Sequence, residues 1–197
     1  MRSTPDIDRT IPLGKEQEAG SPMRLGVVLF LVSELFLFGS LFWTYYYLRA
    51  KTEIWPPAGV TLDLNLASVN TAILLVSSLT LLWAGRSIRQ NRSKGLATGL
   101  VATICLGLAF LGITGYEWTH ETFRPWSEAY GSIFYTMTGF HAFHVFAGIL
   151  LLLSLLARTL RGRFSAQKRL AVEVGSLYWH YVDFIWILVF TTLFIVR

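Results

Sequence analysis

A handful of ionisable side chains stand in strongly apolar surroundings, and they are the residues of this sequence able to do chemistry. Glu34 lies about ten residues into an apolar run, close to mid-membrane depth at 1.5 Å rise per residue. His141 and His144 sit near the centre of another run, at i and i+3 on one helix face, with Gly148 one turn further along. His180 and Asp183 repeat that spacing in the last run, and Glu173, seven residues before His180, shares their face. Glu117 stands at the end of a third run. An acid at the centre of a membrane helix costs roughly 2.5–3.5 kcal/mol to insert, so such residues face the bundle interior or water.

Three chemistries use groups of this kind. A metal or haem site would draw on His141, His144 and His180, but three histidines on two helices without an HExxH pattern make a poor ligand set. The fourth, His120, falls in a loop. A proton carrier would use the carboxylates, and Glu34, alone in its run, favours its neutral form if it has no partner. Against a carrier, there is no inverted repeat and no pair of broken spans. The third possibility is an accessory subunit whose buried polar groups bind lipid, neighbours or protons. Simple interhelical hydrogen bonding would also account for the histidines, and Ser33, Gly139, Ala147 and Gly148 beside these residues allow close helix approach. No hydrolytic triad, phosphate loop or nucleotide motif is present.

The elements that must position these residues are membrane helices. The chain has 197 residues, 53% hydrophobic and 15% charged, where a soluble domain is about 25% charged. The apolar runs predict an all-α, five-helix membrane bundle with spans at about Met23–Leu48, Leu66–Gly85, Leu96–Tyr116, Ser132–Ala157 and Val174–Val196. Each is long enough to cross a hydrocarbon core of about 30 Å. Residues 1–22 are polar, contain Pro5, Pro12 and Pro22, and read as a flexible tail; residues 23–197 form one membrane domain. Trp55-Pro56-Pro57-Ala58-Gly59 and Arg124-Pro125-Trp126 break the helices between spans. Thirteen of the 17 lysines and arginines fall in the tail taken with Arg24 and in the second and fourth loops, which predicts a cytoplasmic N-terminus and an exoplasmic C-terminus. Those basic residues flank spans and form no single patch, so the net charge of +5 does not indicate nucleic acid. Cys105 is the one cysteine, which excludes a disulfide framework. Trp43, Tyr45, Tyr46, Tyr47, Trp83, Tyr116, Trp118, Tyr178 and Trp179 cluster near span ends and read mainly as interfacial anchors.

These motifs, in this order, resemble subunit III of the haem–copper terminal oxidases. Leu31-Val32-Ser33-Glu34 with Phe36, Phe38, Gly39, Phe42 and Trp43 is similar to the family's Ser-Glu helix. Trp55-Pro56-Pro57 is similar to its Trp-Pro-Pro loop, and Asn70-Thr71 with Ser77-Ser78 to its next helix. Tyr130-Gly131-Ser132, Thr138-Gly139-Phe140-His141 and His144-Val145 resemble the following one. Glu173, Tyr178-Trp179-His180-Tyr181-Val182-Asp183 and Trp186 resemble the last. The resemblance runs from about Gly26 to Val196.

The resemblance implies an accessory, non-catalytic subunit of a multi-pass complex in the bacterial cytoplasmic membrane. It would support proton uptake and lasting activity during oxygen reduction coupled to proton pumping. Haem and copper would belong to partner subunits I and II, with no cofactor, metal or catalytic residue in this chain. Glu34 corresponds to the family's carbodiimide-reactive mid-membrane carboxylate. Glu117, His141, His144, Glu173, His180 and Asp183 correspond to its buried polar set. Arg158 corresponds to an arginine that holds a phospholipid headgroup, a pairing that charge also favours. Many members have seven spans, and this chain starts where their third would be, so one wall of the family's lipid cleft would have to come from elsewhere. The five-span form is also like subunit III of quinol oxidases and the subunit-III-like protein of some nitric oxide reductases. A stand-alone proton carrier is the reading from a different class.

Overall fold

In a bilayer every backbone N–H and C=O must be satisfied within the chain, so apolar runs of this length fold as helices. The computed structural model describes residues 14–196, and these are arranged as five long helices: α1 (Gly14–Lys51), α2 (Leu64–Arg89), α3 (Ser93–His120), α4 (Ala129–Leu160) and α5 (Leu170–Phe190). A π-helical segment, Thr191–Ile195, continues α5. All five are long and apolar enough to cross a membrane. The first four expected spans fall within α1–α4, which run beyond the apolar stretch at both ends; the fifth, Val174–Val196, outruns α5 and ends one residue past the π-helical segment.

The largest extension is at the start. The backbone of residues 14–22, expected as tail, is already helical and passes through Pro22. Lys15, Glu16, Gln17, Glu18 and Ala19 are all strong helix formers, which carries the helix outward from the span. Residues 1–13 of the expected tail lie outside the described residues.

Helices α2, α3, α4 and α5 pack in a ring, each on the next, with α5 closing back on α2. Helix α1 lies outside this ring against α4 and α5. Burial follows that order: 50% of the span window of the last helix is buried, against 11% for the first. Small residues set the closest crossings. A Cβ on Gly99 of α3 would stand 2.6 Å from Ala84 Cβ of α2. Trp179 of α5 fills a slot whose two walls are glycines: a Cβ on Gly107 or on Gly148 would come within 2.8 or 2.9 Å of its ring. Close backbone approach of this kind drives helix association in lipid, where burial of apolar surface does not.

That slot changes the reading of one aromatic. Trp179 is fully buried, and its Nε1–H donates to Ser77 Oγ at 3.0 Å, so it is a core residue and no interfacial anchor. Tyr45 is likewise buried, its ring edge-on to Trp55 at 5.4 Å. Trp43, Tyr46, Tyr47, Trp83 and Tyr116 remain exposed, as anchors should be.

Candidate functional site

The candidate residues separate into five places. At mid-depth, α1 meets α4 through Glu34 and His144, whose Oε2 and Nε2 lie 2.9 Å apart. Their side chains are 16% and 8% exposed. His144 Nδ1 lies 2.6 Å from the Phe140 carbonyl, which can only accept, so Nδ1 carries a hydrogen. The Nε2···Oε2 contact then needs one proton, held either by the imidazole or by the carboxyl. Glu34 is therefore half of a pair sharing one proton, where the sequence left it alone. Tyr178 O–H of α5 donates to the His144 carbonyl at 3.1 Å, and Phe38 lies edge-on to the imidazole at 5.2 Å.

Three residues before His144, His141 points elsewhere. Its ring is fully buried between Phe110 of α3, 5.6 Å away, and Trp186 of α5, 4.7 Å away. Neither ring nitrogen meets a hydrogen-bond partner among the described residues. The angle between positions i and i+3 is enough, at the centre of the ring, to aim one imidazole at α1 and the other at α3 and α5.

The second polar place joins α2 to α5. Ser78 Oγ donates to Asp183 Oδ2 and lies 2.9 Å from His180 Nδ1. With its proton given to Asp183, Ser78 accepts from His180, which makes Nδ1 the protonated nitrogen. His180 and Asp183, placed on one face by their spacing, thus meet on one serine, which lies 102 residues from His180 in sequence. The adjacent Ser77 and Thr71 receive the indole N–H groups of Trp179 and Trp186, both at 3.0 Å.

Glu173 does not join that pair, although it lies on the same helix face. It sits about 10 Å away along the axis, two turns earlier. There its Oε2 binds Arg24 Nη2 of α1 and its Oε1 binds Arg169 Nε, each at 2.7 Å. Arg158, at the same basic end, lies with Arg163 and Lys168 around a cavity of about 310 Å³ that also reaches Met23, Phe164 and Leu170. Its guanidinium lies 6.0 Å from the Phe164 ring centre.

The opposite end holds Glu117 of α3, 6% exposed, one turn before Glu121, which follows the helix as its C-cap. Asp63 caps α2 there, accepting from the N–H groups of Asn65 and Leu66 at 3.0 and 3.1 Å. Glu121, just beyond the span, has its carboxyl pushed up to about 7 by burial first and by the Asp63 charge second. Among the described residues, no three His, Cys, Asp or Glu side chains converge as metal ligands. Cys105 is exposed and free.

The family model for cytochrome c oxidase subunit III matches residues 12–196. Among curated relatives, cytochrome c oxidase subunit 3 of Thermostichus vulcanus is 40% identical over 172 residues, covering 87% of this chain and 86% of that one. The subunit 3 proteins of Myxine glutinosa and Drosophila melanogaster are 37% and 35% identical, each over 179 residues. Those matches again cover 87% of this chain, and 69% and 68% of the relatives.

Proposed function

The chain belongs to the cytochrome c oxidase subunit III family, and we propose that it serves as the accessory membrane subunit of a bacterial respiratory oxidase. In that role it flanks subunits I and II, which hold the haem and copper and reduce oxygen to water. The chain itself contributes no catalytic residue. Its work is to hold protons and lipid at the flank of the complex and to prolong activity.

The observation that carries this reading is the Glu34–His144 pair. A carboxylate and an imidazole 2.9 Å apart at mid-depth, in a span that is otherwise apolar, are the kind of intramembrane ionisable pair that proton handling uses. The Ser78–His180–Asp183 cluster adds a second buried group of the same type. The Arg158 cavity, with Arg163 and Lys168 beside an apolar wall, suits a phospholipid headgroup. The match to the Thermostichus vulcanus subunit over most of both chains favours the shorter, bacterial form.

The test is isolation of the tagged chain in mild detergent, with a reduced-minus-oxidised spectrum and metal analysis of what accompanies it. Haem together with copper in larger partner subunits is the expected result. Haem b with iron and no copper would assign the chain to a nitric oxide reductase. Absence of any haem protein would overturn the accessory role.

A further inference from the structure

Helix α1 rests on α4 and α5, and α2 rests on α3 and α5, so on one side of the bundle α1 and α2 flank a groove floored by α5. At the basic end this groove opens into a cavity of about 560 Å³. Its walls are apolar and lipid-facing: Val28 of α1, Leu82 of α2 and Leu177 of α5 line it, 45%, 44% and 45% exposed. Its mouth is cationic. Arg24, Arg86, Arg89 and Arg169 converge from α1, the last turn of α2 and the start of α5, with Glu173 as the single acid among the lining residues.

That acid is fully used, one oxygen on Arg24 and the other on Arg169. Arg169 is further fixed by donating to the Ala166 carbonyl. Arg86 and Arg89 are exposed and meet no carboxylate within ion-pair distance among the described residues. Four guanidinium groups against one carboxylate leave a surplus of positive charge at the top of an apolar channel.

We propose that this groove binds one anionic phospholipid. Its phosphate takes the forks of Arg86 and Arg89, the Arg24–Glu173–Arg169 network backs it, and its acyl chains lie along Val28, Leu82 and Leu177. Arginine forks match phosphate oxygens in pairs, which a lysine cannot do. Free phosphate would use the arginines and leave the apolar walls idle; an amphiphile uses both. The site is separate from the Arg158 cavity. The two share no lining residue: Met23 lines one, Arg24 and Val28 the other. The proposal is independent of which oxidase the chain serves.

The test is native mass spectrometry of the full chain in detergent, titrated with phosphatidylglycerol and, as reference, phosphatidylcholine. Wild type is expected to prefer phosphatidylglycerol, and R86Q/R89Q to lose about tenfold or more of that preference. R86K/R89K should fall between them, which a general loss of fold would not produce. R158Q should leave the Arg86- and Arg89-dependent binding unchanged. Equal preference in R86Q/R89Q and wild type would overturn the site. Displacement of the bound lipid by millimolar inorganic phosphate would overturn the lipid as its occupant.

Discussion

His144 Nε2 of α4 and Glu34 Oε2 of α1 lie 2.9 Å apart at mid-depth, and the Phe140 carbonyl on the other side of the imidazole obliges the two to share one proton. The pair is also a main polar tie between α1 and the ring of helices it rests on, where α1 packs against α4 and α5.

Replacement of Glu34 separates the proton from the contact. Glu34→Gln keeps a donor facing Nε2 and should cost less than about 1 kcal/mol, whereas Glu34→Leu leaves a buried ring nitrogen unpaired and should cost roughly 1–3 kcal/mol. Denaturation in mixed micelles measures both. Carbodiimide labelling, expected in wild type, should vanish in both variants while the haem content of the partners stays unchanged. Labelling that persists in Glu34→Gln would place the reactive carboxyl elsewhere.

The Trp179 slot tolerates no added carbon. Gly107→Ala and Gly148→Ala each push a methyl within 3 Å of the indole, so each should destabilise by about 1–3 kcal/mol. Because both act on one ring, Trp179→Leu should offset much of either loss, and the two costs should not add. Unfolding of the single and double variants reads this directly.

At the end opposite the basic loops, the Glu121 carboxyl binds its proton up to about pH 7 in the folded chain and only in the ordinary carboxylate range when unfolded. A folded-state value raised in this way favours the fold at low pH. That contribution is complete below the unfolded value and is lost as pH rises toward 7. Thermal stability should therefore decline between about pH 5 and pH 8. Glu121→Gln should flatten the decline. Asp63→Asn should shift it to lower pH while keeping the α2 cap, because Asn caps as well as Asp. An unchanged pH profile in both variants would contradict the coupling.

Arg158 reaches a cavity shared with Arg163 and Lys168. Arg158→Ala should lower the phospholipid retained through purification, by about one molecule per chain, as counted by phosphorus analysis. Retention equal to wild type would remove the headgroup role.

The helices were legible because lipid leaves an apolar run of more than about 18 residues no other fold. Their ends were less so, since Lys15–Ala19 and the polar turns after Gly85 are helix formers that no hydrophobicity pattern marks. At the site, the i, i+3 spacing of His180 and Asp183 agrees with their common contact to Ser78. The same spacing misled for His141 and His144, because α4, with neighbours in the ring on both sides and α1 outside it, presents nearby positions to different partners. Glu34 stands alone in its run and Ser78 carries no site assignment in the sequence, because their partners come from helices about a hundred residues away. Glu173 shares a face with His180, but an arginine on α1 and another before α5 hold it at the basic end.

The central claim is that this chain sustains a catalyst without being part of it. The direct measurement is to strip the chain from the isolated complex and follow haem, copper and oxygen consumption together. The account predicts that haem and copper remain with the other subunits, that oxygen reduction begins near its normal rate, and that activity then decays sooner until the chain is restored. Loss of haem or copper with the chain, or an initial rate near zero, would contradict it.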